Sequence, residues 1–427
     1  MKIKHSTLIL FFISLMFIAD GFNSILNNLH FSFFRVSIFV RFLAEAYFIL
    51  LLLRTRQGQK TLLLFGGFMF LFALSAIAGI GLSSDYNLFE NFNNFNKIAF
   101  FFLAFTVLRD NFPSEAAGQN LMRLFEGLIL LQTGILLVSF IFHLKIFAAY
   151  LSPGDVENRF GYQGLIPAQN EVSGFYIIAF FYFLMKWDQR NGNLLNVVLV
   201  VLGALCTGTK VGLVVVPILL FYMIWSFGRS FLQRRGCSRS ISLMIVIIAL
   251  GGLAFWQWKY ILERITPTLN YFSYFLHKGG YNIVDVLSSG RIIKLQLFSQ
   301  VYLPNFSLVN YFIGGHDLSS FVVEMDVVDV FAGMGIIGAI LFYWNYLNSL
   351  LLPARSHKYF VHILFVIVWL GVSTLAGHLV LSAVNATYLA ILLLAFTYLT
   401  QKEGRETDSG GISFGQDSLL SDAKRLQ

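Results

Sequence analysis

Arg159, Lys210, Arg291 and His316 are the side chains whose types and settings could do chemistry. Arg159 opens a Gly- and Pro-rich stretch, Arg159-Phe160-Gly161-Tyr162-Gln163-Gly164-Leu165-Ile166-Pro167-Ala168-Gln169-Asn170-Glu171, with Asn170 expected to cap the following helix. Its guanidinium could fork onto a phosphate, or simply meet lipid headgroups at the membrane surface. Lys210 lies in Cys206-Thr207-Gly208-Thr209-Lys210-Val211-Gly212. Exposed backbone N–H groups beside a cation at a helix start suit an anion, whereas a tight interhelical turn with a snorkelling lysine needs no ligand. The Gly-x4-Gly-Lys-Ser/Thr spacing of a P-loop is absent. Arg291 follows Ser288-Ser289-Gly290, and His316 sits in Gly314-Gly315-His316-Asp317. A histidine titrates where a general base must work, although a lone loop histidine is as readily just solvated. Asp317, Glu324, Asp326 and Asp329 gather nearby, but no metal-ligand spacing such as His-x3-His accompanies them, so no metal is expected.

The elements that must position these residues are set by composition. Of 427 residues, 57% are hydrophobic and only 12% charged, against roughly 25% charged in soluble domains. Apolar runs of membrane-spanning length recur throughout. The expected fold is an all-α polytopic membrane protein with about twelve spans, near 6–22, 31–53, 61–82, 93–108, 122–142, 171–187, 194–207, 210–227, 241–258, 326–352, 359–376 and 380–399. The apolar N-terminus lacks a clean cleavage site and reads as the first span. Residues 1–400 then form one transmembrane domain, with long outer loops at 143–170 and 259–325, and 401–427 form a polar, disordered cytoplasmic tail.

Charge gives direction. Arg54, Arg56, Lys60, Lys186, Arg190, Arg229, Arg234, Arg235, Arg239, Arg355, Lys358, Lys402 and Arg405 fall on alternate connections, while 23–30 and 377–379 carry no Lys or Arg. Both termini are therefore expected to be cytoplasmic. The net charge of +8 reports this orientation, not nucleic-acid binding. Cys206 and Cys237 fall on opposite sides, so no disulfide is expected. Within the spans, Arg41 and Glu45 are four apart and able to pair on one face, while Asp20 and Arg35 add further charge. His378, in a short outer loop, could approach the same site.

In order and topology, these features resemble the O-antigen polymerase and O-antigen ligase superfamily of bacterial envelope glycosyltransferases. The resemblance covers about 159–345. It consists of the Arg159–Asn170 loop, the Thr207–Gly212 turn, Ser289-Gly290-Arg291 with Leu295 in an Arg-x3-Leu pattern, and Gly314-Gly315-His316-Asp317 leading to Gly333-x-Gly335-x-x-Gly338. Lys210 stands where the family commonly has arginine, and Asp317 where it often has asparagine. The resemblance implies a metal- and cofactor-independent transfer on the outer face of the bacterial inner membrane, from a glycan carried on undecaprenyl pyrophosphate. Arg159, Lys210 and Arg291 would bind the pyrophosphate, and Arg291 and His316 would be catalytic, with His316 as base or acceptor-orienting group. Membrane lipids, and a chain-length regulator and flippase of the same pathway, would be the partners.

Polymerisation of lipid-linked repeat units is the leading expectation. A ligase passing glycan to lipid A-core or protein would carry the same motifs. A lipid-linked oligosaccharide flippase would instead line a central cavity with charge from several helices, whereas midspan charge here reads as confined mostly to one.

Overall fold

A computed structural model describes residues 4–149, 160–189, 192–232, 288–353 and 360–412, apart from 30, 32–34 and 84, with scattered single positions between 252 and 285. Arg159, all but one residue of the expected span at 241–258, and most of 259–287 lie outside the described residues. The described chain is helical, with no strand among these residues beyond an isolated bridge between Ala148 and Tyr162. Its helices are α1 (His5–Asn28), α2 (Val36–Leu52), α3 (Arg56–Leu82), α4 (Leu88–Asn111), α5 (Glu115–Phe142), α6 (Gln169–Asp188), α7 (Leu194–Cys206), α8 (Lys210–Leu232), α9 (Arg291–Leu297), α10 (Leu308–Ile313), α11 (Asp326–Leu351), α12 (Phe360–Ala376) and α13 (Ala383–Ile412). A helix covers most of each expected span that falls within the described residues. Five of them, α1, α3, α5, α8 and α11, are long and apolar enough to cross a membrane. α13 continues past Gln401, where a disordered tail was expected, and residues 413–427 lie outside the described set.

Burial separates centre from periphery. α4 is buried continuously from Ile98 to Leu108, α6 from Val172 to Met185, and α13 along most of Ala383 to Tyr398. α13 packs against both α4 and α6, so each buries its apolar faces against another helix. The outer helices instead turn large apolar side chains outward: Leu63 on α3, Ile224 on α8 and Trp344 on α11 are each at least 70% exposed. An outer surface as apolar as the interior suits lipid rather than water.

The connections sort to two ends. Asn28 reaches the carbonyl of Ile146, Tyr162 N–H donates to Cys206, Asn91 binds Asp317, and Leu379 N–H donates to Asp326. The described residues among 29–35, 83–87, 143–149, 160–168, 207–209, 288–325 and 377–382 are thus together at one end, called here the loop end.

Two irregular segments dip into the bundle there. Residues 163–166 pass between α1 and α5: Gln132 donates from Nε2 to the Gln163 carbonyl (2.8 Å) and accepts from Leu165 N–H (2.9 Å), while Ser24 donates to the Gly164 carbonyl (2.7 Å). Such backbone is tolerated at membrane depth only when protein groups satisfy it. Asn170 does not cap the next helix. α6 starts one residue before it, at Gln169, and its cap position, Ala168, has no side-chain bond.

The second is a lock between α10 and α11. Gly335 adopts φ 66°, ψ −174°, a conformation open essentially only to glycine, and divides α11 into two pieces. The freed carbonyls find partners outside the helix: Ala332 accepts from His316 N–H (3.1 Å), and Gly333 from Ser75 Oγ (2.6 Å) and Gly315 N–H (3.3 Å). A Cβ on Gly314 would lie 2.2 Å from the Gly333 carbonyl oxygen, and one on Gly335 2.3 Å from Phe312 backbone. The glycine-rich runs near 314 and 335 therefore interlock backbone to backbone.

Candidate functional site

Lys210 and Arg291 meet although far apart in sequence. Thr209 ends the turn before α8, its Oγ1 accepting from Gly212 N–H at 2.9 Å, so Lys210 emerges from the first turn of that helix. Its Nζ donates to Ser289 Oγ at 3.0 Å. Ser288–Gly290 is a turn with Ser289 and Gly290 both in the left-handed region, and it launches α9 with Arg291 buried at its first position. Arg291 donates from Nη1 to the Ser288 carbonyl (3.3 Å) and approaches Glu324 through Nη2 (3.4 Å). Glu324 is shared with Lys294, whose Nζ lies 2.5 Å from Oε1. Arg159 lies outside the described residues, but the carbonyl of its neighbour Phe160 abuts Gly208, within the turn that carries Lys210.

Glu324 also joins this group to the 377–382 loop. It has φ 64°, and its backbone presses so closely on Gly377 that a Cβ there would lie 1.9 Å from the Glu324 carbonyl oxygen. His378 follows with φ 59°. Asp326 holds the loop by accepting from Leu379 N–H (3.1 Å) and Val380 N–H (2.9 Å). Left-handed backbone at two non-glycine residues facing each other persists only where surroundings enforce it. Burial pulls the His378 ring below the usual histidine range, and the charges of Glu324, Lys97, Glu171 and Arg291 also act on it. The ring is half-buried.

Deeper in the bundle, Arg41 Nη2 lies 2.5 Å from Asp20 on α1, and Glu45 accepts instead from Asn96 on α4 at 2.6 Å. The pairing expected within α2 is thus replaced by pairing between helices, because both side chains face the interior where α1 and α4 offer closer partners. Glu171, at the start of α6, accepts from Ser382 Oγ at 2.9 Å. Lys97, held by Asn94 Oδ1 at 3.1 Å, lies in the field of Glu171, Arg41, Glu90 and Arg35. Charge from α1, α2, α4 and α6 converges beneath the loop end, not on one helix as the sequence suggested.

His316 is placed differently. Its Nε2 lies 3.0 Å from the Phe321 carbonyl, and its ring packs among Phe298, Tyr302, Phe306 and Phe321. Burial again lowers its pKa, while the Phe321 carbonyl and the charge of Asp317 act in the opposite direction. Asp317 in turn receives Asn91 Nδ2 (2.6 Å) and Ser319 N–H (2.9 Å). Burial would raise Asp317, but these hydrogen bonds outweigh it and hold the carboxyl below its ordinary value. The acidic residues near the loop end are thus engaged by N–H and cationic donors, and no metal-binding group is found among the described residues.

Comparison with protein-family models, with curated proteins and with solved structures finds no match to this chain. Lys97 and Glu171 were not among the sequence candidates. The signal for Lys97 was the polar run Asn93, Asn94, Asn96, Lys97 inside the expected span at 93–108, a costly composition unless it faces a polar interior.

Proposed function

We propose that the chain polymerises glycan repeat units linked to undecaprenyl pyrophosphate, at the outer face of a bacterial inner membrane, with twelve spans and both termini cytoplasmic. The observation that carries this reading is the convergence of Lys210 and Arg291 on the Ser288–Gly290 turn. In the proposed step, an acceptor hydroxyl oxygen bonds to the anomeric carbon of the donor glycan. The bond from that carbon to the pyrophosphate oxygen breaks, and its electron pair leaves with the lipid pyrophosphate. Arg291 and Lys210, with Arg159, meet the developing negative charge. The hydroxyl proton passes to His378, which we assign as base because the Nε2 of His316 already faces a carbonyl. His316 then serves to shape the loop.

The test uses the purified chain in detergent, where no compartments exist, supplied with a lipid-linked repeat unit. Lengthened lipid-linked product supports polymerisation; no lengthening with an authentic unit overturns it. A second reading, transport of the lipid-linked unit, is favoured by the converging charge of α1, α2, α4 and α6. It predicts movement between vesicle leaflets without chain growth.

The two histidines separate by variant. His378→Ala should lower turnover by about a hundredfold, whereas His316→Phe, which keeps an aromatic ring in the nest, should retain most activity. The acid limb of the pH profile should fall below the ordinary histidine midpoint of about 6.5. Lys97→Met removes a positive charge that disfavours protonation of His378, so it should move that limb to higher pH. An unmoved limb would exclude His378 as the titrating base.

A further inference from the structure

At the opposite end of the bundle, α3, α4 and α11 enclose a cavity of about 380 Å³. Its charged lining residues are Lys60 and Arg109, and Gln57, Asn345, Asn348 and Ser349 add amide and hydroxyl groups. No carboxylate is among the described residues that line it. The acid beside it, Asp110, lies 3.9 Å from Arg109 Nε and is engaged by Thr55 Oγ1 at 2.8 Å. Arg109 is also steadied over the Phe105 ring, 5.8 Å from its centroid. Thr61 and Thr106 bond each other across the α3–α4 seam at 3.0 Å, fixing the two walls.

Three features define what fits. Two cations on a concave wall with hydrogen-bond donors select an anion with several oxygens. Phe102, Phe105 and Leu64 give the cavity an apolar side that a bare anion would not use. Leu63, the chain neighbour of the lining Leu64 on α3, is 79% exposed, an apolar outer surface along which acyl chains could lie. Basic pockets between helices at this depth recognise lipid headgroup phosphates. We propose that this cavity binds the phosphate of an anionic phospholipid headgroup, with Lys60 and Arg109 as its cationic contacts. This does not depend on the activity proposed above.

The full-length chain, delipidated in detergent, would be titrated with phosphatidylglycerol, phosphatidylcholine or inorganic phosphate and followed by native mass spectrometry and thermal unfolding. Phosphatidylglycerol should bind and stabilise more strongly than phosphatidylcholine. Lys60→Gln with Arg109→Gln should weaken its binding on the order of tenfold, leaving phosphatidylcholine unchanged. Lys60→Gln alone, at an exposed position, should give a smaller loss in the same direction and serves if the double variant does not fold. Equal binding of both lipids, or phosphatidylglycerol binding untouched by Lys60→Gln, overturns the proposal. Inorganic phosphate matching phosphatidylglycerol would assign the cavity to a soluble anion and overturn the lipid assignment.

Discussion

Replacing Arg291 with alanine should collapse the surface polysaccharide to single repeat units, with chain extension slowed by a factor on the order of 10² to 10³. Arg291 is buried, bonded to the turn that also receives Lys210, and its charge reaches His378. Its loss still leaves Glu324 a partner in Lys294, so the fold should survive. Arg291→Lys keeps the charge but not the forked geometry and should recover part of the lost activity. Electrophoresis of surface glycan from cells carrying each variant at matched protein levels gives the readout. A ladder as long as wild type would remove Arg291 from the chemistry. Complete absence of surface glycan would point to transport or ligation instead of polymerisation.

The second large effect concerns the lock between α10 and α11. Gly335→Ala would put a Cβ 2.3 Å from Phe312 backbone at a φ/ψ pair that alanine avoids. Neither side can yield without moving a helix, so a loss of about 3 kcal/mol or more is expected. A large drop in the unfolding temperature of the detergent-solubilised protein, or failure to recover it monodisperse, is the expected result. Gly66→Ala is the control: a Cβ there meets nothing within 4 Å in the middle of α3, so it should be neutral or stabilise by about 0.5–1 kcal/mol. Equal stability of Gly335→Ala and wild type would mean that the break in α11 is not required.

Much of this architecture could be read from hydropathy, because a membrane forces each span to declare itself as an apolar run. The glycines at 314, 315, 333 and 335 stood out as well, though their pairing with one another did not, since backbone contact leaves no pattern in side-chain type. Charge pairing was least legible. Spacing suggested Arg41 with Glu45, but four residues along one helix compete with any neighbouring helix, and Asp20 and Asn96 were closer. Lys210 and Arg291 were each ambiguous alone; only the fold brings them to one turn. For His316, sequence offered a titratable ring in a conspicuous motif and could not reveal the four aromatic rings around it. His378, in an unremarkable loop, gained its setting from Asp326 and Glu324, both supplied by other segments.

The position of α13 has a consequence for biosynthesis. This helix packs against α4, α5 and α6, and Tyr398 on it bonds the Phe112 carbonyl at the α4–α5 corner at 2.5 Å. Yet it is the last of these helices to leave the ribosome. The earlier helices must wait in the bilayer with the faces it will cover still open to lipid, and Glu171 must wait for Ser382. Insertion of α13 is therefore the event that covers those faces and closes the bundle.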